Sequence, residues 1–205
     1  MRAPVIVVTG AIASGKTMVA HILAGRGGTV VDCDLLAHRA LEEIELKEKL
    51  VRAFGSSVLT SSGRISRAGL GRIVFSDDSK LNLLNQMVRP FVKRIISDEV
   101  MKLKACSSYI VLDAVLFFQY KFKFKVDLVI STVASEETCL RRIMRRDGLS
   151  RKEALMRIER QRPLYNDWSG ADLTVNTDGS RERIVRVVAG IRDCFLKVHN
   201  VSRRE

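Results

Sequence analysis

Eight consecutive residues near the N-terminus, Gly10-Ala11-Ile12-Ala13-Ser14-Gly15-Lys16-Thr17, place a lysine and a hydroxyl directly after the second of two fixed glycines. The pattern G-x-x-x-x-G-K-[ST] suits one task, wrapping a chain of phosphates. Glycines let backbone amides converge on an oxygen-rich group, and a helix opening at the lysine adds the partial positive charge of its N-terminus. Lys16 would reach the β- and γ-phosphates, and the Thr17 hydroxyl would hold Mg²⁺, so the expected ligand is ATP or GTP. Contacts are expected along the whole stretch, from Gly10, Ala11, Ile12, Ala13, Ser14 and Gly15 through Lys16 and Thr17 to Met18. The setting fits, because a β-branched run (Pro4 to Thr9) precedes the loop and Val19, Ile22 and Leu23 follow at helical spacing.

Two further groups of residues could act on such a phosphate. In "VVDCD" (residues 30–34) Asp32 and Asp34 stand two apart, which on a strand puts both carboxylates on one face at its carboxyl end. That edge faces the ligand crevice in open α/β sheets. A carboxylate there suits a base that accepts a hydroxyl proton, while Asp34 as the N-cap of a following helix is an equal reading. The segment "CLRRIMRR" carries Arg141, Arg142, Arg145 and Arg146. Glu137 sits four before Arg141 and can neutralise it, whereas Arg142 and Arg146 have no acid three or four residues away. This pair is expected to meet an external anion such as a transferring phosphoryl group, or else to form part of a solvated basic face.

The elements that must position these residues alternate. Strands are expected at 4–9, 29–34, 109–114, 126–132 and 171–175. Helices are expected after Gly15, from Ser135, from Ser150 with a capping box to Glu153, and from Ser180 to about Lys197. Pro90 should kink or break the long helical run it sits in. The expected fold is α/β and three-layered, a five-stranded parallel sheet with helices on both faces. The almost wholly helical stretch from Leu35 to Cys106 is too long for one crossover and reads as an inserted helical subdomain.

Bulk properties narrow the partners. The chain has 205 residues, 46% of them hydrophobic, and a net charge of +12 that implies anionic partners without choosing among them. The longest apolar stretch, "YIVLDAVLFFQY", is interrupted by Asp113, so no membrane span is expected, and no signal peptide is recognisable. Four scattered cysteines read as reduced core thiols of a cytoplasmic protein. "QYKFKFKVD" interleaves lysines 121, 123 and 125 with Phe122 and Phe124. Such a stretch can bind single-stranded nucleic acid, but an amphipathic edge with solvated lysines is the favoured reading.

Taken together, "VTGAIASGKT", "VVDCDLLAHRAL", "GRISRAGLGRIVFSDD", "VRPFVKR", "CLRRIMRRDGLS", "RIERQ" and "ADLTVNTDGS" resemble the dephospho-CoA kinase family over nearly the whole chain. The resemblance implies a P-loop NTPase-type core (about 1–34, 106–140 and 166–205), a helical CoA-binding insert (about 35–105) and a helical lid (about 141–165). It implies ATP and Mg²⁺ as cofactors and dephospho-CoA as acceptor, with no nucleic-acid partner. Asp34 matches the family's proposed base. Asp32, Asp34 and Arg67 would contact the acceptor, Lys16, Arg142 and Arg146 would serve catalysis, and Asn176 would lie where the adenine is held. The chain departs from the family pattern at Arg89, at residues 114–119, and at Ala11 and Ala13, where glycine is common. Another nucleoside or nucleotide kinase of this architecture, or an ATP-gated nucleic-acid-binding protein, are the alternative readings.

Overall fold

The computed structural model describes residues 3–74, 77–162 and 170–201. Five β-branched runs form parallel strands: β1 (Val5–Gly10), β2 (Gly28–Asp32), β3 (Tyr109–Asp113), β4 (Leu128–Val133) and β5 (Leu173–Asn176). They lie in the order β2-β3-β1-β4-β5. Parallel strands covered on both faces must be apolar throughout, and every residue of β1 and β3 is buried. Register fixes the functional edge: Val8 pairs with Asp113, Gly10 with Thr132, and Val133 with Asn176. The carboxyl ends of β1, β3, β4 and β5 therefore share one side.

The helices among the described residues are α1 (Lys16–Ala24), α2 (Cys33–Ala40), α3 (Ile44–Phe54), α4 (Arg67–Val74), α5 (Asp78–Leu103), α6 (Phe117–Tyr120), α7 (Glu136–Asp147), α8 (Arg151–Gln161) and α9 (Arg181–Val198). None of them is long and apolar enough to cross a membrane. The chain divides into two compact units, one comprising Met1–Cys33 with Val100–Glu205 and the other Asp34–Glu99. In the first, α1 and α9 pack on the sheet through Val19, Leu23, Ile184, Val188 and Phe195. The second is helical apart from a 3₁₀ turn at Ser56–Val58 and a bridge between Leu59 and Ile65, with Leu46, Leu50 and Ile96 fully buried.

Three expectations need correction. The second strand ends at Asp32, and Cys33 and Asp34 are already helical, so the two aspartates do not share a strand face. Helix α5 continues through Pro90, so the break does not occur. The missing amide orphans only the Gln86 carbonyl, and both residues are exposed, so water can satisfy it. All four cysteines are free, but only Cys33 and Cys139 are buried, while Cys106 and Cys194 are exposed. The expected lid and core limits near 165 and 166 lie outside the described residues, as does Phe75 of "RIVF". Lysines 121, 123 and 125 are exposed while Phe122 and Phe124 are half-buried and stack at 4.9 Å, as an amphipathic loop requires.

Helix α1 carries the lysine of the loop, so its far end must be anchored. The Tyr109 hydroxyl, buried, donates to the Leu23 and Ala24 carbonyls at 3.0 and 2.5 Å, and Arg192 reaches the Ile22 carbonyl at 3.4 Å. These are the carbonyls a helix C-terminus leaves unpaired. Burial also pushes the Tyr109 phenol above its ordinary pKa, keeping the donor proton in place. Tyr109→Phe should therefore destabilise the fold by about 1–3 kcal/mol and lower Tm by several degrees. An unchanged Tm in thermal denaturation would show that water caps α1 instead.

Candidate active site

At the carboxyl end of β1 the chain turns through Gly10 at φ +136°. A Cβ there would collide with the Thr132 carbonyl and hydroxyl, so only glycine lets the loop leave the sheet so closely. Gly15, at φ +92°, ends the loop against Thr177 and precedes the first helical residue, Lys16. Neither a capping side chain nor an acid occupies this helix start, which leaves its positive end for an anion.

Lys16 is 91% removed from solvent by its neighbours, with 9% of its surface exposed. Its Nζ curls back and donates to the Ala11 carbonyl at 2.9 Å. The neighbouring Thr17 hydroxyl donates to Asp113 Oδ2 at 2.6 Å. Asp113 closes β3 and is itself buried. A hydroxyl and a carboxylate side by side form a hard-oxygen pair that fits Mg²⁺, whose remaining ligands would be phosphate oxygens and water. Sequence reading gave Thr17 alone this part and treated Asp113 only as a break in an apolar run. An acid ending an otherwise apolar strand beside the loop strand was the available signal.

The arginine segment is α7, capped by Ser135, whose hydroxyl accepts the Thr138 amide. Arg142 turns inward and makes three bonds, to the Ala13 carbonyl (2.9 Å), the Thr177 hydroxyl (3.0 Å) and the Thr177 carbonyl (2.8 Å). In this arrangement its guanidinium braces the loop. Arg146 is not short of an acid either: Asp147 takes it at 2.7 and 3.0 Å and also takes Arg157 at 2.6 Å. The hydrogen bond from Arg146 holds the Asp147 carboxyl below its usual pKa and raises that of Arg146 in return. A search three and four residues away skips a neighbour at one. Glu137 serves Arg151 at 2.8 Å and Arg141 donates to Thr138 at 3.1 Å, while the Arg141 charge, after that of Arg151, still helps to lower the Glu137 carboxyl. Arg141, Arg142 and Arg145 line an open cleft of about 380 Å³ together with Thr138 and Gly179.

Beside that cleft, Asn176 is exposed and its Oδ1 accepts the Asp178 amide at 2.7 Å, shaping the turn after β5. Asp178 in turn accepts from the Ser135 amide and hydroxyl at 2.8 and 3.1 Å. Hydrogen bonding, led by the Thr138 hydroxyl, holds its carboxyl low. Met18 packs its side chain on the core, so any nucleotide contact from it is through the amide. Thr177, fully buried at the centre of these bonds, carried no sequence signal.

Asp32 is exposed at the end of β2. Asp34, also exposed, lies in the first turn of α2 and belongs to the second unit. Within that unit Arg67, His38, Arg39 and Arg64 line an open cleft of about 470 Å³. Glu42 grips Arg64 at 2.8 and 3.1 Å on the same wall.

Residues 4–182 match a family model described as dephospho-CoA kinase. The chain belongs to the dephospho-CoA kinase family. A dephospho-CoA kinase of Carboxydothermus hydrogenoformans is 38% identical over 191 residues, covering 90% of this chain and 93% of its own length. Among solved structures, the Thermus thermophilus protein TT1252 is 31% identical with a TM-score of 0.76, covering 99% of this chain and all of its own. The dephospho-CoA kinase of Campylobacter jejuni is 27% identical with a TM-score of 0.69, covering 95% of this chain and 98% of its own. The chain is thus similar over almost its full length to proteins named dephospho-CoA kinases.

The two arginines differ in a way that thermal denaturation separates. Arg142→Ala removes three charge-assisted bonds and should destabilise the nucleotide-free protein by about 1.5–3 kcal/mol. Arg146→Ala breaks an ion pair whose arginine side is 60% exposed and should change stability by less than about 1 kcal/mol. Equal effects on Tm would refute the bracing role of Arg142.

Proposed function

We propose that this chain transfers the γ-phosphoryl group of ATP to the 3′-hydroxyl of dephospho-CoA, giving CoA and ADP. The observation that carries the reading is a buried lysine on a shaped phosphate loop, next to a paired hydroxyl and carboxylate, in a chain of this family. In the reaction the 3′-oxygen bonds to the γ-phosphorus as the bond from that phosphorus to the β,γ-bridging oxygen breaks. The hydroxyl proton passes to a carboxylate, and ADP leaves.

Each residue then has a part. Loop amides and Lys16 hold the β- and γ-phosphates, and Thr17 and Asp113 would hold Mg²⁺. When bound, that cation neutralises charge on the bridging oxygens. Arg146 is exposed and Asp147 also accepts from Arg157, so the Arg146 guanidinium can exchange Asp147 for the transferring group without leaving that carboxylate unpaired. Asp34 accepts the proton. Its exposure and its place in the first turn of α2 suit a base more than a structural cap, since the residue ahead of that helix is Asp32. The Asp34–Glu99 unit acts as the acceptor-binding insert, with the basic cleft around Arg67 meeting the acceptor's phosphates and the Asn176 turn lying against the adenine of ATP. Little covalent work falls to the protein, and catalysis is positioning and electrostatics.

The test offers ATP and Mg²⁺ with dephospho-CoA, adenosine, AMP, CMP or a short oligonucleotide at equal concentration. CoA should dominate, and adenosine should lose kcat as well as affinity, because remote binding energy is spent at the reacting hydroxyl. With the best acceptor, Asp34→Asn should lower kcat by roughly 10²–10⁴-fold while ATP affinity stays nearly constant. Higher kcat/KM for AMP, CMP or the oligonucleotide would overturn the substrate assignment, and an unchanged kcat in Asp34→Asn would retire the base.

A further inference from the structure

Ile12, Ala13 and Ser14 are consecutive loop residues, and each has one backbone group held by a side chain from a different element. Gln161, at the end of α8, accepts the Ile12 amide on Oε1 at 2.8 Å. Arg142 of α7 donates to the Ala13 carbonyl at 2.9 Å, and the Thr177 hydroxyl to the Ser14 carbonyl at 2.7 Å. The first of these bonds has a particular consequence. The Ile12 N–H belongs to the same peptide unit as the Ala11 carbonyl, and that carbonyl is what holds the Lys16 ammonium. A peptide is planar, with its C=O and N–H on opposite sides. Gln161 on one side of the plane therefore adds to the Ser14 amide, which donates to the same carbonyl at 3.2 Å, in fixing the direction of that carbonyl on the other.

We propose that Gln161 is a positioning residue for Lys16: by holding the Ile12 amide it orients the Ala11–Ile12 peptide and ties the α7–α8 hairpin to the nucleotide loop. The hairpin is stiff enough for this. Arg151–Glu137, Arg157–Asp147 and Arg162–Glu136 bridge its two helices at 2.8, 2.6 and 3.2 Å. Its apolar seam of Leu140, Ile143, Ala154 and Ile158 also receives Ile12 and Ala13 from the loop. Ala13 needs such restraint, because it sits at φ +58° with a side chain, in a region glycine enters far more readily. Where a glycine-rich loop is free to choose among peptide orientations, this loop is held in one from outside.

The role of Lys16 rests on the nucleotide reading above, but the hydrogen bond can be tested without it. In nucleotide-free protein, Gln161→Leu should speed exchange of the Ile12 amide by tenfold or more, followed by NMR, while core amides such as that of Val7 keep their protection. In turnover, the same variant should raise the KM for ATP about five- to twentyfold and leave the KM for dephospho-CoA unchanged. Gln161→Glu keeps an acceptor oxygen at the same reach and should restore most of both. If the leucine variant does not fold, Gln161→Asn, one methylene too short, replaces it. Unchanged Ile12 exchange in the leucine or asparagine variant would overturn the bond. Faster exchange with an unaltered KM for ATP, or a glutamate variant as impaired as the leucine one, would overturn the positioning role. If a different acceptor proves to be the substrate, the ATP-side result still decides this proposal.

Discussion

A lysine residue with nine-tenths of its surface withdrawn from water is a demanding thing to fold around. Its neighbour, the start of α1, adds further positive character and no side-chain cap. Both features are tolerable if the loop itself supplies oxygens, which on the proposed reading a polyanion then replaces. The Ala11 carbonyl does the first. Much of the surrounding architecture serves to keep that loop open and correctly shaped in the meantime. Glycine at position 10 permits the close departure from the sheet beside Thr132, Ser14 shares a 2.6 Å bond with the Thr132 hydroxyl, and Tyr109 and Arg192 secure the other end of α1.

The same economy shows in the arginines of α7. One basic segment divides into an inward guanidinium that braces backbone carbonyls and outward ones paired or solvated. Arg142 donates to neutral oxygens on two segments, which a lysine could not match because it lacks the planar fork. Arg146 has a partner, Asp147, that it can release at little cost because its own side chain is exposed and Asp147 keeps Arg157. Bracing and reach are thus assigned to residues four apart on one helix. The excess of positive charge that the composition reveals is concentrated here in part, next to the loop where phosphates are expected.

How much of this could be read from the sequence depends on range. The loop was legible because eight consecutive residues carry it, and the capping box at Ser150 because its partner lies three residues on. Strands β1 and β3 were legible as largely apolar runs, which burial on both faces demands. The end of β2 was not, since Cys33 and Asp34 satisfy a strand pattern and a helix start equally well, and packing decides. Local charge counting missed Arg151 as a partner of Glu137 and Asp147 as a partner of Arg146 for a related reason: long side chains choose partners across the α7–α8 hairpin or at the adjacent residue as readily as one turn away. Asp113, Thr177 and Gln161 escaped because each meets the loop from about a hundred residues or more downstream. Only the parallel register and the hairpin bring them there.

On the proposed reading Lys16 is a buried charge kept for an anion rather than for the fold. Its direct test compares wild type with Lys16→Met, which is close in shape and uncharged, by thermal denaturation with and without ADP. Replacing a buried charge by a packed apolar group should leave the nucleotide-free Tm unchanged or raise it. Saturating ADP at about a hundred times its Kd should stabilise wild type by about 2.7 kcal/mol and the variant at the same concentration by far less. A methionine variant that is much less stable without nucleotide, or that keeps the full ADP shift, would contradict the account.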